Sequence, residues 1–283
     1  MKILVTGASG QLGYDLCREL SKREFAYCGL ASGDMDITDL SAVRKKIQDY
    51  QPDAVLHCAA YTKVDLAEDE PKRCWAVNAV GTQNLALACG EIGAKLLYIS
   101  TDYVFSGKGN DFYDPEDAVN PQNVYGMSKL AGELAVKALL KKYFIVRVSG
   151  VFGKNGNNFV KTMLKLSSQK KELTVVCDQI VSPTYTVDLA RLLCDMIVTE
   201  KYGVYQATNE GLCSWSEFAE AIFQEVGADT KVVPVTTEEY NAKAVRPKNS
   251  RMSKEKLGQM GFSRLPDWRD ALKRYLEEIS EQA

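Results

Sequence analysis

Histidine is almost absent from this chain, since His57 is the only one among 283 residues. A metal centre built from several imidazoles is therefore excluded. His57 lies in the apolar run 54–58, which we expect to be a buried strand, so a structural role is the simpler interpretation. Acid–base chemistry must then come from tyrosine, lysine, aspartate or glutamate side chains.

Long apolar runs and a strong net charge are missing as well. No apolar run approaches the ~20 residues that a membrane-spanning helix needs. Residues 1–6 read directly into a strand, without the layout of a signal peptide. A formal net charge of −2 gives no electrostatic footprint for nucleic acid or an anionic membrane. We therefore expect a cytoplasmic protein with no nucleic-acid partner and no membrane partner.

Cysteine is present, but not in a pattern typical of metal sites or disulfide frameworks. The eight cysteines are dispersed, none forms a Cys-x-x-Cys pair, and several lie in apolar runs. We expect them to be reduced and largely buried, as in a cytoplasmic protein. Since no ligand cluster stands out, we expect no essential metal.

The first half of the chain alternates short apolar runs with amphipathic stretches. Predicted strands and helices are, in chain order, 2–6, 11–22, 27–31, 40–50, 54–58, 74–92, 95–100, 125–140 and 144–148. Strands that alternate with helices favour a parallel sheet covered by helices on both faces. We predict an α/β protein with a doubly wound, Rossmann-type parallel sheet.

After Gly150 the alternation becomes irregular, which predicts a smaller C-terminal α/β lobe. We assign residues 1–150 to an NAD(P)-binding Rossmann domain and 151–283 mainly to a substrate-binding lobe. Elements within 173–200 are candidates to return to the first domain. Residues 101–124 form a long connection after a predicted strand, at the sheet edge where open α/β sheets bind ligands.

A glycine-rich turn, Gly7-x-x-Gly10-x-x-Gly13, separates the first predicted strand from the first predicted helix. Glycines there allow a tight turn and a close approach of backbone to ligand. The free N–H groups of the helix start suit a pyrophosphate, so the turn predicts dinucleotide binding.

The residues after the second predicted strand do not select between NAD and NADP. Residues 31–34, after the second strand, place neither an acid for NAD nor a base for NADP at the expected position. Arg18 and Lys63 are the available partners for a 2′-phosphate. We expect NADPH, with NADH as the alternative.

Tyr125 and Lys129 are four residues apart, hence on one face of a predicted helix. A phenol beside a fixed cation is a candidate general acid, because the cation lowers the phenol pKa towards neutrality. Tyr125 is the only one of the fourteen tyrosines with lysine at the fourth following position. The other motifs of the chain strengthen the interpretation of this pair as a proton donor.

Those motifs carry a family resemblance. The glycine turn, a Ser-Thr-Asp-Tyr-Val-Phe string and Tyr-x-x-x-Lys, in this order, resemble the extended short-chain dehydrogenase/reductases. Further strings make the chain similar to the dTDP-4-dehydrorhamnose reductases from the first strand to the last helix. They begin at Asp36, Cys58, Asn78, Asn157, Pro183 and Arg246, the last being Arg246-Pro247-x-Asn249-Ser250.

In that family NAD(P)H delivers a hydride to the C4 keto carbon of dTDP-4-dehydro-L-rhamnose, which yields dTDP-L-rhamnose. The resemblance implies that Tyr125 donates the proton, while Lys129 lowers the pKa of Tyr125 and binds the nicotinamide ribose. It implies that Thr101 orients the carbonyl, with the adjacent Ser100 as the alternative hydroxyl. Asn78 matches a helix asparagine that can hold a proton-relay water.

The resemblance also implies binding residues. For the cofactor these are, besides Tyr125 and Lys129, Gly7, Gly10, Gln11 and Leu12 at the pyrophosphate, Asp36 and Ile37 at the adenine, and Ala59, Ala60 and Thr62 at the ribose and nicotinamide. For a nucleotide-sugar substrate they are Val64, Thr101, Tyr103 and Tyr125 near the sugar, with Asn158 and Arg246 at the nucleotide end.

Two departures from the family pattern fall on the substrate side. Gly150 stands where a tryptophan usually borders the sugar, and Val181 stands where glycine is usual. Alternatives are therefore a reductase of another nucleotide-linked 4-keto-deoxysugar, a non-catalytic NADP-binding regulatory relative, or an epimerase with permanently bound NAD. A homodimer is a further possibility that the resemblance raises.

Overall fold

A computed structural model describes residues 1–280. Its strands are β1 (Lys2–Thr6), β2 (Ala26–Leu30), β3 (Ala54–His57), β4 (Lys95–Thr101), β5 (Tyr143–Val148), β6 (Val151–Phe152), β7 (Glu172–Val176), β8 (Ile180–Val181), β9 (Thr184–Tyr185), β10 (Gly203–Gln206), β11 (Cys213–Ser214) and β12 (Lys231–Val235).

The helices follow the same chain order. They are α1 (Gln11–Lys22), α2 (Leu40–Tyr50), α3 (Val64–Ala67), α4 (Pro71–Trp75), α5 (Thr82–Ile92), α6 (Val124–Leu139), α7 (Phe159–Ser167), α8 (Thr186–Ile197), α9 (Trp215–Val226), α10 (Thr237–Tyr240), α11 (Glu255–Gln259) and α12 (Trp268–Ser280). A π-helix (Ala76–Gly81) joins α4 to α5, and a 3-10 helix (Asp102–Val104) follows β4.

Six parallel strands form the main sheet in the order β10-β5-β4-β3-β1-β2. Helices α1 and α8 pack on one face, where Leu16 and Leu193 are fully buried. Helices α2, α5 and α6 cover the other face, around Ile47 and Leu85. The doubly wound parallel sheet predicted from the apolar alternation is confirmed.

The rest of the chain builds a smaller lobe from three two-stranded pairs: β7 with β12, β8 with β11 and β6 with β9. Helices α7, α9 and α12 enclose its core, where Phe152, Phe218 and Trp268 are buried. Between these elements the chain returns to the first core. Helix α8 packs on α1, and β10 forms an edge strand of the main sheet. The division at residue 150 stays a prediction, while residues 186–206 contribute to the first core.

Polar side chains of α1 contact both α8 and the smaller lobe. The Thr186 hydroxyl of α8 donates to buried Asp15 of α1 at 2.5 Å. Arg18 of the same helix donates to Glu278 of α12 at 2.6 Å. Within the described residues 1–280, no helix is long and apolar enough to cross a membrane.

Candidate active site

Two glycines of the turn, Gly7 and Gly13, leave no space for a side chain. Gly7 has a φ of +69°, and a Cβ there would lie 2.7 Å from the backbone nitrogen of Ala59. A Cβ on Gly13 would lie only 2.1 Å from the Gly7 carbonyl oxygen. Gly10 is the N-cap of α1 and has no side chain that could accept from the helix. N–H groups of the first turn are therefore free to bind an anion. The turn therefore has the shape and the donors that a pyrophosphate needs.

A loop of the smaller lobe crosses this turn, which the sequence did not indicate. The Asn155 amide donates to the Ser9 carbonyl at 2.7 Å, and the Asn158 amide donates to the Gln11 side-chain oxygen at 3.0 Å. Asn158 also caps α7 by accepting from the Lys161 backbone nitrogen at 3.0 Å. Asn158 is thus placed against the start of α1, where Leu12 is buried beneath the turn.

The segment after β2 is ordered by its own side chains. The Asp36 carboxylate accepts from the backbone N–H and hydroxyl of Thr38, which lowers the pKa of Asp36. Ile37 is buried against Gly81, and its carbonyl accepts from the Asn84 amide at 2.9 Å. Asp36 remains exposed beside this anchored isoleucine.

Neither basic candidate for a 2′-phosphate is placed clearly at this edge. Arg18 forms ion pairs with Asp15 at 3.2 Å and with Glu278 at 2.6 Å, so carboxylates already engage its guanidinium. Lys63 is exposed and precedes α3.

The segment after β3 approaches the glycine turn from the next strand. The Ala59 N–H donates to the Thr6 hydroxyl at 3.3 Å, and Ala60 follows, half-buried, before the exposed Thr62. His57, at the end of β3, lies 2.7 Å from that same hydroxyl through Nδ1. Burial lowers the pKa of His57 to about 3, so the ring is neutral and serves to hold the strand ends together.

Ser100 and Thr101 at the end of β4 point to opposite sides of the sheet, as consecutive strand residues do. The Ser100 hydroxyl donates to buried Glu133 at 2.5 Å, and Glu133 pairs with buried Arg147 at 2.7 Å. The Thr101 hydroxyl instead donates to Asp102 at 2.9 Å, and Thr101 is close enough to Tyr125 to affect the pKa of its phenol. The structure therefore brings Thr101, and not Ser100, to the tyrosine.

Tyr125 and Lys129 lie one turn apart on α6, which Asn123 caps by accepting from the Gly126 N–H at 2.7 Å. Burial raises the pKa of the Tyr125 phenol, and the Asp102 charge raises it further. This direction is opposite to the one expected from the sequence, because burial of the phenol and the nearby Asp102 carboxylate both raise its pKa. Burial also lowers the pKa of Lys129 to about 7. Lys129 is therefore only partly protonated at neutral pH, and its action on the Tyr125 phenol stays a prediction.

Asn78 lies in the π-helix, where its side chain has several protein partners. Its oxygen accepts from the Tyr61 N–H at 2.8 Å, and its amide donates to the Tyr61 carbonyl at 3.1 Å and to the Ser128 hydroxyl at 3.0 Å. Asn78 thus ties the segment after β3 to α6. A water-holding role for Asn78 stays a prediction.

Of the predicted substrate residues, Tyr103 packs directly on Tyr125, and Arg246 lies near Tyr103. The rings of Tyr103 and Tyr125 lie 5.5 Å apart, edge to face. Arg246 donates at 2.5 Å to Asp65, which follows Val64 in α3. Burial raises the pKa of Tyr103, and the nearby Arg246 guanidinium opposes this rise. The Arg246 Nε is buried without a hydrogen-bond partner.

Gly150 follows β5 with a φ of +55°, so a larger residue there would be strained. A Cβ at this position would lie 3.2 Å from the Pro183 Cα and 3.6 Å from the Trp215 ring. Trp215 is half-buried and packs on Phe159, with ring centroids 4.7 Å apart. No motif or spacing indicated that Trp215, the first residue of α9, reaches the carboxyl end of β5.

These features define a class of protein. A parallel sheet with a glycine turn at its first crossover and a Tyr-x-x-x-Lys helix beside β4 is the Rossmann-type fold of the extended short-chain dehydrogenase/reductases. The RmlD substrate binding domain family matches residues 1–281, and the chain belongs to this family, that of the dTDP-4-dehydrorhamnose reductases.

Three relatives show the extent of the similarity. The spore coat polysaccharide biosynthesis protein SpsK of Bacillus subtilis is 45% identical over 99% of this chain and 98% of its own. The dTDP-4-dehydrorhamnose reductase of Mycolicibacterium smegmatis is 42% identical over 96% of this chain and 84% of its own. A crystal structure of the Bacillus anthracis dTDP-4-dehydrorhamnose reductase in complex with NADP has a TM-score of 0.95 and 46% identity, covering 98% of this chain and 99% of that one.

Proposed function

We propose that this protein uses NADPH to reduce the C4 keto group of dTDP-4-dehydro-L-rhamnose to dTDP-L-rhamnose. The observation that carries the proposal is the meeting of Thr101, Tyr125 and Lys129 beside the carboxyl end of β4. Relatives that bear the reductase name cover nearly the whole chain. Their names support the substrate, and the geometry supports the reaction class.

The glycine turn fits the cofactor. Its backbone approaches Ala59 so closely that no Cβ is tolerated at Gly7, and the open start of α1 offers N–H groups to phosphates. We propose that Gly7, Gly10, Gln11 and Leu12 bind the pyrophosphate, that Asp36 and Ile37 flank the adenine, and that Ala59, Ala60, Thr62, Tyr125 and Lys129 line the ribose and nicotinamide. The NADP in the Bacillus anthracis relative supports NADPH over NADH.

Bound NADPH would supply the hydride, and the chain would supply the proton. A raised pKa keeps the Tyr125 phenol protonated at neutral pH, and a general acid must be protonated before the reaction begins. Lys129 donates to the Ile99 carbonyl at 2.7 Å and retains further N–H groups that can hydrogen-bond a ribose hydroxyl. We propose that Thr101, beside Tyr125, orients the substrate carbonyl and stabilises the charge that develops on its oxygen.

The substrate would lie between the two lobes. We propose that Val64, Thr101, Tyr103 and Tyr125 surround the sugar and that Arg246 binds the diphosphate, for which its fork of donors is suited. Asn158 would act at the nucleotide end through its position against Gln11. Trp215 would supply the aromatic surface beside the sugar, since its ring lies next to Gly150.

We also propose that the protein works as a homodimer in the cytoplasm. The eight cysteines are all free, which suits a reducing compartment. Light scattering of the purified protein tests the dimer, with a monomer mass as the contrary result.

The test of the function is a substrate panel with purified protein. NADPH and NADH are each offered dTDP-4-dehydro-L-rhamnose and a UDP-linked 4-keto sugar, and loss of the reduced-nicotinamide absorbance is followed. We expect the fastest consumption with NADPH and the dTDP sugar. Faster turnover of the UDP sugar would favour another keto-deoxysugar, and bound NAD without net consumption would favour an epimerase.

A further inference from the structure

The segment that carries Arg246, residues 244–246, contacts α3 and the start of α6. On the α3 side, one carboxylate holds the segment at two points. The Asp65 side chain accepts from the Ala244 N–H at 3.1 Å and from the Arg246 guanidinium at 2.5 Å. Ala244 is buried, whereas the larger apolar side chain of Val245 is exposed. Hydrogen bonds to the neighbouring helices therefore carry much of the attachment of this segment.

On the α6 side, the buried side chain of Asn123 holds the same segment. Its amide nitrogen donates to the Val245 carbonyl at 2.7 Å, and its amide oxygen accepts from the Gly126 N–H at 2.7 Å. The two partners fix the orientation of the amide, because a carbonyl can only accept and a backbone N–H can only donate. Asn123 therefore makes two different hydrogen bonds at once: one caps α6, and the other holds the residue next to Arg246.

The cap alone does not require an asparagine at this position. Serine and aspartate accept at an N-cap about as well as asparagine does. In this chain Asp39 caps α2 and Ser214 caps α9. An asparagine differs from both because its amide also carries N–H donors. At Asn123 that donor is used on the Val245 carbonyl, so the second hydrogen bond is the one that calls for an amide.

A third contact joins α3 directly to α6. The carboxylate of Glu68, the C-cap of α3, accepts from the Val124 N–H at 2.9 Å. Val124 is the first residue of α6 and directly precedes Tyr125. Helix α3, the start of α6 and residues 244–246 are thus joined pairwise by side-chain hydrogen bonds. These contacts fix the place of Arg246 relative to Tyr125.

We propose that Asn123 is a positioning residue that seats Arg246 to bind the diphosphate of the substrate. Asn123 lies two residues before Tyr125, so its hydrogen bond to Val245 sets the distance between the proposed diphosphate contact and the proposed proton donor. A nucleotide sugar held at its diphosphate by Arg246 then presents its keto group to Tyr125. The inference rests on the proposed reductase function and assigns to Asn123 a contribution to substrate affinity within it.

Asn123→Ser tests the inference, because serine can still cap α6 but has no amide to donate to Val245. We expect KM for the keto sugar and the dissociation constant of dTDP, measured by calorimetry, to rise by about tenfold, the order expected for one lost hydrogen bond. NADPH affinity and kcat should stay within about twofold of the wild type. In an Arg246→Ala background, the same substitution should change neither KM nor dTDP affinity any further, because Asn123 acts through Arg246.

Two further variants serve as controls. Asn123→Asp also keeps the cap and lacks the donor, so it should repeat the effect of Asn123→Ser, and it replaces that variant if the serine protein does not fold. Asp39→Asn exchanges the cap residue of α2 and should leave dTDP affinity unchanged.

The outcomes separate this inference from the proposed function. Wild-type KM and dTDP affinity in Asn123→Ser, a loss confined to kcat, or losses that add to those of Arg246→Ala would overturn the inference and leave the reductase function intact. A wild-type protein that binds dTDP without reducing the keto sugar would overturn the function, and the dTDP affinities would then test Asn123 alone. A wild-type protein that does not bind dTDP would overturn both.

Discussion

The Lys129 ammonium donates a hydrogen bond of 2.7 Å to the carbonyl oxygen of Ile99, two residues before Thr101. This contact joins α6, which carries Tyr125, to β4, which carries Thr101. The same ammonium lies 4.1 Å from the centroid of the Tyr98 ring, in a cation–π contact. Lys129 therefore holds α6 against β4 in addition to supplying a charge.

Burial of Lys129 predicts a pH dependence of stability. Its pKa falls from 10.5 to about 7 on folding, so the unfolded chain binds the extra proton between these values. The free energy of unfolding should therefore rise with pH across this window, by up to about 1.4 kcal/mol per pH unit from this group. Urea unfolding of the wild type and of Lys129→Met at pH 7 and pH 9 measures the difference. Parallel curves for the two proteins would contradict the buried, depressed lysine.

The two hydroxyls at the end of β4 should separate activity from stability. Thr101→Val removes the hydroxyl beside Tyr125, and we expect kcat to fall by about 100-fold, in the range for a lost polar contact at a reacting centre. Ser100→Ala should lower stability by about 1–3 kcal/mol, since Glu133 loses a buried hydrogen bond. Its kcat should stay within a few-fold of the wild type. The reverse pattern in kcat and thermal unfolding would show that Ser100 is the active hydroxyl.

The glycine turn can be tested without substrate. Gly13→Ala places a Cβ against the Gly7 carbonyl oxygen, so the turn must open, and NADPH affinity should fall by roughly tenfold or more. Gly258→Ala is the matched control, because no heavy atom lies within 4 Å of its added Cβ. Fluorescence of bound NADPH gives both dissociation constants. Equal affinities in the two variants would rule out this turn as the pyrophosphate site.

Trp215 should matter for the sugar and not for the cofactor. We expect Trp215→Ala to raise KM for the keto sugar by about tenfold, since an aromatic contact of this size contributes about 0.5–1.5 kcal/mol beyond the area that it buries. NADPH affinity should hardly change. Trp75→Ala serves as control, because that ring is 41% exposed on α4. If both variants keep the wild-type KM, the sugar is bordered by other residues.

Local signals were enough to predict much of the first half of the chain. The bounds of β1, α1 and α2 agree with the prediction, because the apolar residues within each element repeat with the period of a strand or a helix. The predicted continuous helix 74–92 is instead interrupted by the π-helix around Asn78. The side chain of that asparagine bonds to Tyr61 and Ser128, distant positions that periodicity does not report.

Local sequence patterns were also insufficient to predict the contacts of the candidate active site. The residue types of the Tyr125 motif were readable, but the direction of its pKa shift depends on burial by elements far along the chain. The approach of Trp215 to Gly150 and of Asn155 to the glycine turn likewise arises from the packing of the smaller lobe on the sheet. Single-sequence patterns report spacing within one element and carry no record of such contacts.

Tyr125→Phe with dTDP-4-dehydro-L-rhamnose is the most direct measurement of the central claim, that Tyr125 delivers the proton in an NADPH-dependent reduction. The variant loses only the phenol oxygen, so NADPH should still bind with nearly wild-type affinity. The account predicts dTDP-L-rhamnose formation by the wild type and a kcat at least about 100-fold lower in the variant, in the range expected for a general acid. Equal rates for the two proteins, or no product from a wild-type protein that binds NADPH, would contradict it.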